Sequence, residues 1–244
     1  MIEVRELQKS FGAVRAVKNV SFSAADGAIT GLLGPNGAGK TTTMRMLYTL
    51  MKPDSGSIQM DGIDAIRAPQ RVRSLLGALP DARGIYPRLT MRENIRYFGQ
   101  LHQIAPALLE ERIEKFVQLL DCDDCIDRRA KGFSQGQRLK TALARALIHN
   151  PQHIILDEPT NGLDVMTTRS LRTFLRTLRA EGKCVLVSSH IMQEIGELCD
   201  EIVIIHDGLV KATGTSAELK ERAGTNQLED AFVALVSDRE GVPK

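Results

Sequence analysis

The chain has 244 residues, and its 43% apolar content is ordinary for a globular protein, so one sizeable domain with a full core is possible. Its formal charge of +2 argues against a nucleic-acid partner, since nucleic-acid-binding surfaces usually carry a strong basic bias. No apolar run approaches the roughly 18 residues that a membrane-spanning helix needs, and residues 1–5 lack a signal-peptide pattern. We therefore expect a cytoplasmic protein that reaches a membrane only through a partner chain.

The first 50 residues predict strands that surround a glycine-rich loop. Residues 2–7 and 17–23 alternate in polarity, which predicts an antiparallel N-terminal ribbon. Residues 28–33 predict a buried strand and residues 41–50 predict a helix. The loop between them fits the phosphate-loop pattern G-x-x-x-x-G-K-[ST] without a mismatch: Gly34, Pro35, Asn36, Gly37, Ala38, Gly39, Lys40, Thr41.

The strand–loop–helix context gives this motif a chemical role. Glycines let the backbone approach phosphate oxygens closely, and the amides of the loop and the helix start, as far as Thr42, would point at the anion. Lys40 would reach the β and γ phosphates, and the Thr41 hydroxyl would hold Mg²⁺. The alternative, a glycine-rich turn that merely precedes a helix, fits the spacing and the context less well. The loop predicts a nucleoside triphosphate site that uses ATP and Mg²⁺.

Residues 82–150 show almost no strand signal and several helix signals. Thr90 and Glu93 form a capping box that opens one helix. Apolar residues at helical spacing mark two further helices: Leu109, Ile113, Phe116, Leu120, and then Leu139, Ala142, Leu143, Ala146, Leu147. We interpret residues 82–150 as a helical lobe inserted into an α/β core that comprises residues 1–81 and 151–224.

Two cysteines in this lobe form a C-x-x-C pair. Cys122 and Cys125 are compatible with a zinc or redox site, but a second ligand pair at matching spacing is missing. The two aspartates between them would also raise the thiol pKa values. We therefore favour ordinary reduced cysteines.

The last third of the chain alternates strands and helices. Continuous apolar runs at residues 154–156, 185–187 and 202–205 predict parallel strands covered on both faces. The fold class that follows is α/β, a P-loop NTPase (RecA-like) core with an N-terminal antiparallel ribbon and an inserted helical subdomain. Residues 225–237 predict an amphipathic helix with one apolar face, and residues 238–244 a loose tail; the face comprises Leu228, Ala231, Phe232 and Leu235.

Two carboxylates follow the apolar strand at residues 154–156. Asp157 would lie near Mg²⁺, as the acidic partner does in P-loop enzymes. Glu158 could orient and deprotonate the attacking water. Alternation along the strand sends the two side chains in different directions, which suits two roles. The alternative, an acidic strand end without function, is weak beside a phosphate loop.

His190 follows the next buried strand, at the end where open α/β sheets bind ligands. It could contact the γ-phosphate and the attacking water. A single histidine is more often structural, but this position favours the functional interpretation.

A second anion-seeking helix start lies in the helical lobe. Ser134 can cap the helix that follows, and Gly136 leaves its backbone uncrowded, with Gln137 next to it. Because this lobe is remote from the phosphate loop, the helix start is expected to serve a different copy of the protein.

Together these motifs resemble the ATP-binding subunits of ABC transporters over residues 1 to about 220. The resemblance implies a head-to-tail homodimer in which each ATP lies between the phosphate loop of one copy and the signature of the other. Ser134, Gly136 and Gln137 would then bind the nucleotide in trans. Residues 161–164 would match the loop that links the two sites, and Phe11 the aromatic residue that stacks on adenine.

Two departures from the family pattern are visible. The signature is usually Leu-Ser-Gly-Gly-Gln, whereas Phe133 and Gln135 replace Leu and the first Gly here. Asp81 stands where the family has a Gln that meets Mg²⁺, water and the transporter groove. Asp81 keeps an oxygen ligand for the metal, although it is shorter and charged.

Residues 81–90 and the variant signature resemble the ATPase subunits of two-component sodium exporters. The leading expectation is an ATP-hydrolysing motor subunit, peripheral on the inner face of the membrane, that drives Na⁺ export through a separate integral membrane permease. Related ATPases of drug, lipid or haem exporters share much of this pattern. A soluble ABC ATPase that acts on nucleic acid or ribosomes and a small-molecule P-loop kinase remain less favoured alternatives.

Overall fold

A ten-stranded sheet organises the computed structural model of the protein, which describes residues 1–81 and 84–237. One half of the sheet is antiparallel and contains the predicted N-terminal ribbon. Its strands are β1 (Ile2–Phe11), β2 (Val14–Ala24), β4 (Ser55–Met60) and β5 (Ile63–Asp64). Both ribbon strands extend beyond the predicted limits.

The other half of the sheet is parallel except for one strand. It contains β3 (Ile29–Leu33), β6 (Leu76–Leu79), β7 (His153–Asp157), β8 (Cys184–Ser189), β9 (Glu201–His206) and the antiparallel β10 (Leu209–Gly214). The strand order across the sheet is β5-β4-β1-β2-β10-β9-β3-β8-β7-β6. The carboxyl ends of β3, β7 and β8 therefore lie side by side, where α/β sheets bind ligands.

Nine helices connect or cover the strands in the described ranges. They are α1 (Lys40–Leu47), α2 (Pro69–Leu75), α3 (Met91–Leu101), α4 (Pro106–Leu120), α5 (Gln135–Leu147), α6 (Val165–Ala180), α7 (Met192–Leu198), α8 (Ser216–Ala223) and α9 (Leu228–Ser237). Helices α3, α4 and α5 follow one another between β6 and β7, where the sequence predicts a helical lobe. The lobe limits at residues 82 and 150, and the division at residue 224, stay predictions.

Strand β3 shows how a central strand is buried on both of its faces. All five of its residues are buried. Ile29 packs in the cluster that includes the helices of the predicted lobe, and Leu32 packs in the cluster beneath the N-terminal ribbon. Leu33 joins a third cluster with α7, α8 and α9. A strand covered on both faces is mostly apolar, and Thr30 is the one polar side chain buried in β3.

Local signals placed several elements correctly. The capping box of Thr90 and Glu93 opens α3, with both reciprocal hydrogen bonds present. The predicted apolar face of the last helix is buried in α9, at Leu228, Ala231, Phe232 and Leu235. Three short strands (β5, β6 and β10) and three short helices (α2, α7 and α8) were not predicted. The predicted loose tail, residues 238–244, lies outside the described residues.

Across the described residues, every helix is too short or too polar to traverse a lipid bilayer.

Candidate functional site

The loop between β3 and α1 wraps tightly, and two of its glycines are sterically required. A Cβ on Gly34 would lie 2.1 Å from the carbonyl oxygen of Ile205. Gly39 has φ +103°, and its Cβ would lie 2.6 Å from the carbonyl oxygen of Ala16. No side chain larger than hydrogen fits at either position, so the loop conformation depends on the glycines of the motif.

Lys40 lies beneath this loop and is 4% exposed. Its Nζ donates hydrogen bonds to the carbonyl oxygens of Gly34 at 2.7 Å and Pro35 at 3.2 Å. The same ammonium group forms an ion pair with Oε1 of Glu158 at 3.2 Å. The phosphate-loop lysine and the predicted catalytic carboxylate are therefore in direct contact.

The predicted metal ligands of β7 and α1 also meet. Asp157 is 2% exposed, and the Thr41 side chain lies close to its carboxyl. Oδ1 of Asp157 accepts a hydrogen bond from the Ser188 hydroxyl at 2.6 Å. Burial raises the pKa of the Asp157 carboxyl, and the Ser188 hydrogen bond and the nearby Thr41 side chain oppose that rise.

Glu158 and His190 form a pair at the ends of the neighbouring strands β7 and β8. Nδ1 of His190 lies 2.9 Å from Oε2 of Glu158. Glu158 has a left-handed backbone with φ +48°, and its amide donates to the Ser188 hydroxyl at 3.0 Å. Strain of this kind persists where surrounding contacts impose it, often at functional sites.

Ser188 was not predicted as a site residue. Its hydroxyl accepts from the Glu158 amide and donates to Asp157, so it holds the Asp157 carboxylate and the backbone of Glu158. The only sequence signal for it was a polar residue that ends an apolar strand. Its partners lie in the adjacent strand, so the role became visible only in the folded chain.

A cavity of about 380 Å³ collects most of the predicted site residues. The predicted residues that line it are Phe11, Pro35, Asn36, Gly37, Gly39, Lys40, Thr41, Thr42, Asp81, Glu158 and His190. Ala16 and Asn161 also line the cavity. Gly34, Ala38 and Asp157 lie behind its wall, where Gly34 and Asp157 contact Lys40 and Thr41.

A second cavity of about 430 Å³ adjoins the first, because Asp81 and Asn161 line both. Its other walls come from residues 84–85, Gly162 and the first turns of α5, at Gln135 and Arg138. Asp81 thus lies between the phosphate-loop cavity and the cavity beside α5.

The signature residues are separate from the nucleotide-sized cavity of their own chain. Ser134 accepts a hydrogen bond from the Gln137 amide at 3.2 Å, and Gln137 Oε1 accepts from the Ser134 amide at 3.1 Å. A Cβ on Gly136 would lie 3.1 Å from Thr167 Oγ1. Among the described residues that line the two cavities, Ser134, Gly136 and Gln137 do not occur.

The donor groups of the first cavity fit a magnesium–triphosphate complex. Thr41, Asp157 and Asp81 offer only hydroxyl and carboxylate oxygens, the ligands that Mg²⁺ prefers. A Cβ on Gly37 would meet no atom within 4 Å, so the loop leaves open space above its backbone. The start of α1 has no side-chain cap, which leaves its first amides for an anion.

The two cysteines of the C-x-x-C pair are buried and unbridged. The Cys122 and Cys125 thiols are buried and donate to backbone carbonyls. Burial is the largest cause that raises the pKa of Cys122 to about 12 and that of Cys125 to about 11. The neighbouring aspartates raise both values further. Thiols of this kind are poor nucleophiles.

A phosphate loop follows the central parallel strand β3, and two carboxylates lie at the same sheet end, at the end of β7. This arrangement defines a P-loop NTPase. The ABC transporter family model matches residues 17–161, more than half of the chain. The chain therefore belongs to the ABC transporter family, as an ATP-binding subunit, and ABC ATPases hydrolyse ATP.

Two relatives indicate how far the similarity extends. The chain is 40% identical to the ABC transporter ATP-binding protein NatA of Bacillus subtilis over 231 residues, which cover 94% of each chain. It is 36% identical to Nod factor export ATP-binding protein I of Ralstonia nicotianae, over 90% of this chain and 68% of that protein.

Solved structures give the same fold. The ATP-binding subunit of an ABC transporter superimposes with a TM-score of 0.88 at 28% identity, over 97% of this chain and 99% of that one. A dimeric bacterial ABC transporter cassette, MJ0796, superimposes with a TM-score of 0.81 at 25% identity, over 88% of this chain and 98% of that one.

Proposed function

We propose that this chain is the ATP-hydrolysing motor subunit of a sodium exporter, and that it powers Na⁺ extrusion through a separate integral membrane permease. The observation that carries the catalytic part is the contact between Lys40 of the phosphate loop, Glu158 and His190 around one cavity. The 40% identity to NatA over 94% of both chains supports the choice of exporter.

Different residues of the site bind different parts of ATP. Residues 34–39 and Thr42 supply backbone amides to the phosphates, and Lys40 supplies the cation. Phe11, which is 48% exposed at the cavity mouth, stacks on adenine. The partly exposed ring suits a ligand that arrives from solvent.

Three oxygen donors are assigned to Mg²⁺. The Thr41 side chain lies next to the Asp157 carboxyl, and Asp81 lines the same cavity as Thr41. Bound Mg²⁺ would neutralise charge that develops on the phosphates during transfer. Ser188 keeps Asp157 oriented towards Thr41 through its hydroxyl.

Glu158 acts as the general base, and His190 orients it. One Glu158 oxygen pairs with Lys40 and the other with His190. A triphosphate offers Lys40 a stronger anionic partner, because it carries several negative charges close to the loop. Lys40 then releases Glu158, which becomes free to accept a proton from the attacking water. Nucleotide binding and activation of the base are coupled by this exchange.

The second half of each site comes from another copy of the chain. Ser134, Gly136 and Gln137 lie outside the nucleotide-sized cavity of their own chain, and the similar MJ0796 cassette is dimeric. We propose a head-to-tail homodimer in which these residues contact the γ-phosphate in trans. Ser134→Arg should prevent ATP-dependent dimerisation in size-exclusion chromatography and leave ATP binding by the monomer intact. Equal dimerisation of the variant would refute the trans contact.

The assembly belongs on the inner face of the cell membrane, held there by the permease. The sodium assignment is tested by co-purifying the chain with the membrane protein encoded beside its gene and reconstituting both in liposomes. We expect ATP to drive ²²Na⁺ transport and Na⁺ to stimulate ATP hydrolysis. The Lys40→Ala complex is the control, since it should assemble but lack both activities. An active ATPase that moves no Na⁺ would refute the sodium assignment alone.

A second candidate is the motor of a drug, lipid or haem exporter. The 36% identity to a Nod factor export ATP-binding protein favours this class as the alternative. In the same liposomes, stimulation of ATP hydrolysis by amphiphilic compounds rather than by Na⁺ would select it. Stimulation by RNA or ribosomes, without any permease, would instead indicate a soluble ABC ATPase, which the formal charge of +2 disfavours.

A further inference from the structure

Three metal-ligating side chains converge at the end of the sheet opposite the nucleotide cavity. They are Asp26 in the turn between β2 and β3, His153 at the start of β7, and Cys184 at the start of β8. A carboxylate oxygen, a ring nitrogen and the sulfur of these residues all lie within 4.8 Å of one another. This is the only such group of three or more found in the described ranges 1–81 and 84–237.

The hydrogen bonds of His153 prepare it as a ligand. The side chain is 0% exposed, and its Nε2 lies 2.9 Å from Oδ2 of Asp61. A carboxylate accepts, so Nε2 carries the proton and Nδ1 presents a lone pair. That Nδ1 is buried and has no hydrogen-bond partner among the described residues. Histidines that bind metals characteristically donate their other N–H to a carboxylate in this way.

Cys184 and Asp26 add a sulfur and a carboxylate to the ring nitrogen of His153, and Asp26 leaves the cluster open to ions from solvent. The buried Cys184 thiol donates a weak hydrogen bond to the carbonyl oxygen of Ala24 at 3.4 Å, which places the sulfur beneath the turn that carries Asp26. The Asp26 side chain is 48% exposed, so one wall of the cluster faces solvent. The Met1 amine contacts Oδ1 of Asp26 and Oδ1 of Asp61, at the outer rim of the cluster.

We propose that Asp26, His153 and Cys184 form a binding site for Zn²⁺. Sulfur, imidazole and carboxylate donors together suit this borderline-soft ion, whereas Mg²⁺ and Ca²⁺ prefer oxygen ligands alone. Binding replaces the proton on the Cys184 sulfur, and that proton leaves to solvent. Nδ1 of His153 is the ring nitrogen assigned to the ion, because Nε2 is held by Asp61 and Nδ1 has no partner among the described residues.

The site stabilises the sheet and stands apart from nucleotide chemistry. His153 and Cys184 are register partners at the start of β7 and β8, so the ion joins two adjacent strands to the turn before β3. Asp157 and Ser188 are register partners four residues further along, which is about 13 Å at the usual rise per residue. The ion therefore holds the strands that carry the catalytic carboxylates, without contact with the nucleotide.

The test uses the untagged, metal-free full chain kept reduced with a phosphine. Calorimetric titration with ZnCl₂ should give one Zn²⁺ per chain, and Zn²⁺ should raise the thermal unfolding midpoint while CaCl₂ should not. Co²⁺ should produce the charge-transfer absorption of a cobalt–thiolate bond, which reports the sulfur ligand directly. Absence of both zinc binding and the cobalt–thiolate band would overturn the proposal.

Substitutions assign the ligands. Cys184→Ala should abolish the cobalt–thiolate band, and Asp26→Asn should weaken Zn²⁺ binding at least tenfold. Asp61→Asn should weaken it by roughly 10–100-fold, as loss of a carboxylate that orients a histidine ligand does. Cys125→Ala is the control, and it should bind Zn²⁺ like the unsubstituted chain.

Zinc binding that persists in Asp26→Asn, or that is lost in Cys125→Ala, would overturn the assignment. If Cys184→Ala does not fold, two measurements still test the site: Zn²⁺ binding by Asp26→Asn, whose position is half-exposed, and the cobalt spectrum of the unsubstituted chain. ATP affinity measured on the same variants should stay unchanged, which separates this site from the proposed ATPase function.

Discussion

Helices α1 and α5 both begin within a glycine-containing motif, yet their N-termini are capped differently. Helix α1 begins after Gly39, in a left-handed conformation, and no side chain caps it. Helix α5 begins after Ser134, whose hydroxyl and the Gln137 side chain form a complete capping box. The first start lies in the wall of the cavity of about 380 Å³, and the second lies outside it.

This difference indicates which hydrogen-bond donors each helix start has available for a phosphate. The uncapped α1 amides are available for direct hydrogen bonds to an anion, in the region of the positive end of the helix dipole. The α5 amides are partly satisfied within the chain, but the Ser134 hydroxyl uses only a lone pair in its cap. Its O–H can still donate to a phosphate oxygen. We expect α1 to hold the nucleotide alone and α5 to add its contact only in a dimer.

The largest expected effect comes from Glu158→Gln. The amide keeps the size of the side chain but cannot accept the proton, so we expect hydrolysis to slow by roughly 10²–10⁴-fold. ATP binding should survive, and a stable ATP-bound dimer should appear in size-exclusion chromatography. That dimer would bring both helix starts onto one nucleotide. Glu229→Gln, at an exposed position of α9, is the control. A fully active Glu158→Gln enzyme would contradict the assignment of the base.

Ser134→Ala tests the second helix start. Loss of a hydrogen bond to a charged phosphate costs about 1.5–3 kcal/mol, which predicts ATP hydrolysis slower by roughly 10–10²-fold. The substitution also removes a helix cap, at a cost of about 1 kcal/mol of folding stability.

Thr90→Ala is the matched control, because Thr90 forms the same capping box on α3. It should lose similar stability, measured by urea unfolding, and keep its ATPase activity. If both variants lose activity equally, Ser134 acts only as a cap.

Gly37→Ala tests the first helix start. Gly37 has φ +82°, and its new methyl would enter the open space beside the cavity. We expect a strain of about 1–2 kcal/mol and ATP affinity reduced roughly tenfold, measured by calorimetry.

Gly182→Ala provides the comparison, since Gly182 has φ +80° and equally open surroundings in the loop before β8. The Gly182→Ala variant should have the same backbone strain and bind ATP with unchanged affinity. Unchanged ATP affinity in Gly37→Ala would show that the loop does not approach the phosphates closely.

The smallest expected effect is that of Asp81→Gln, which restores the residue usual in the family. Asp81 is exposed, and exposed charge interactions are worth about 0–1 kcal/mol. The Mg²⁺ concentration for half-maximal ATPase should therefore rise by up to about fivefold. Asp230→Asn on α9 should leave it unchanged. A Mg²⁺ requirement that does not move would remove Asp81 from the metal ligands.

The site was predictable where its signal is local. The phosphate loop lies within eight consecutive residues, and Asp157 with Glu158 ends a single apolar strand. Ser188 escaped prediction because its partners, Asp157 and the Glu158 amide, belong to the neighbouring strand. Strand β6 was not predicted because it has only four residues, which show no periodic pattern of their own. Its identity as a strand follows from its pairing with β7.

By itself, the sequence determined where the phosphate-loop motif lies, which helices begin with a capping box, and which strands are buried on both faces. These properties depend on residues within one turn or one strand of each other. Only the tertiary structure decided that Lys40, Glu158 and His190 touch, and that Asp26, His153 and Cys184 converge at the opposite end of the sheet. The reason is the strand order β3-β8-β7, which brings residues more than 100 positions apart to the same sheet end.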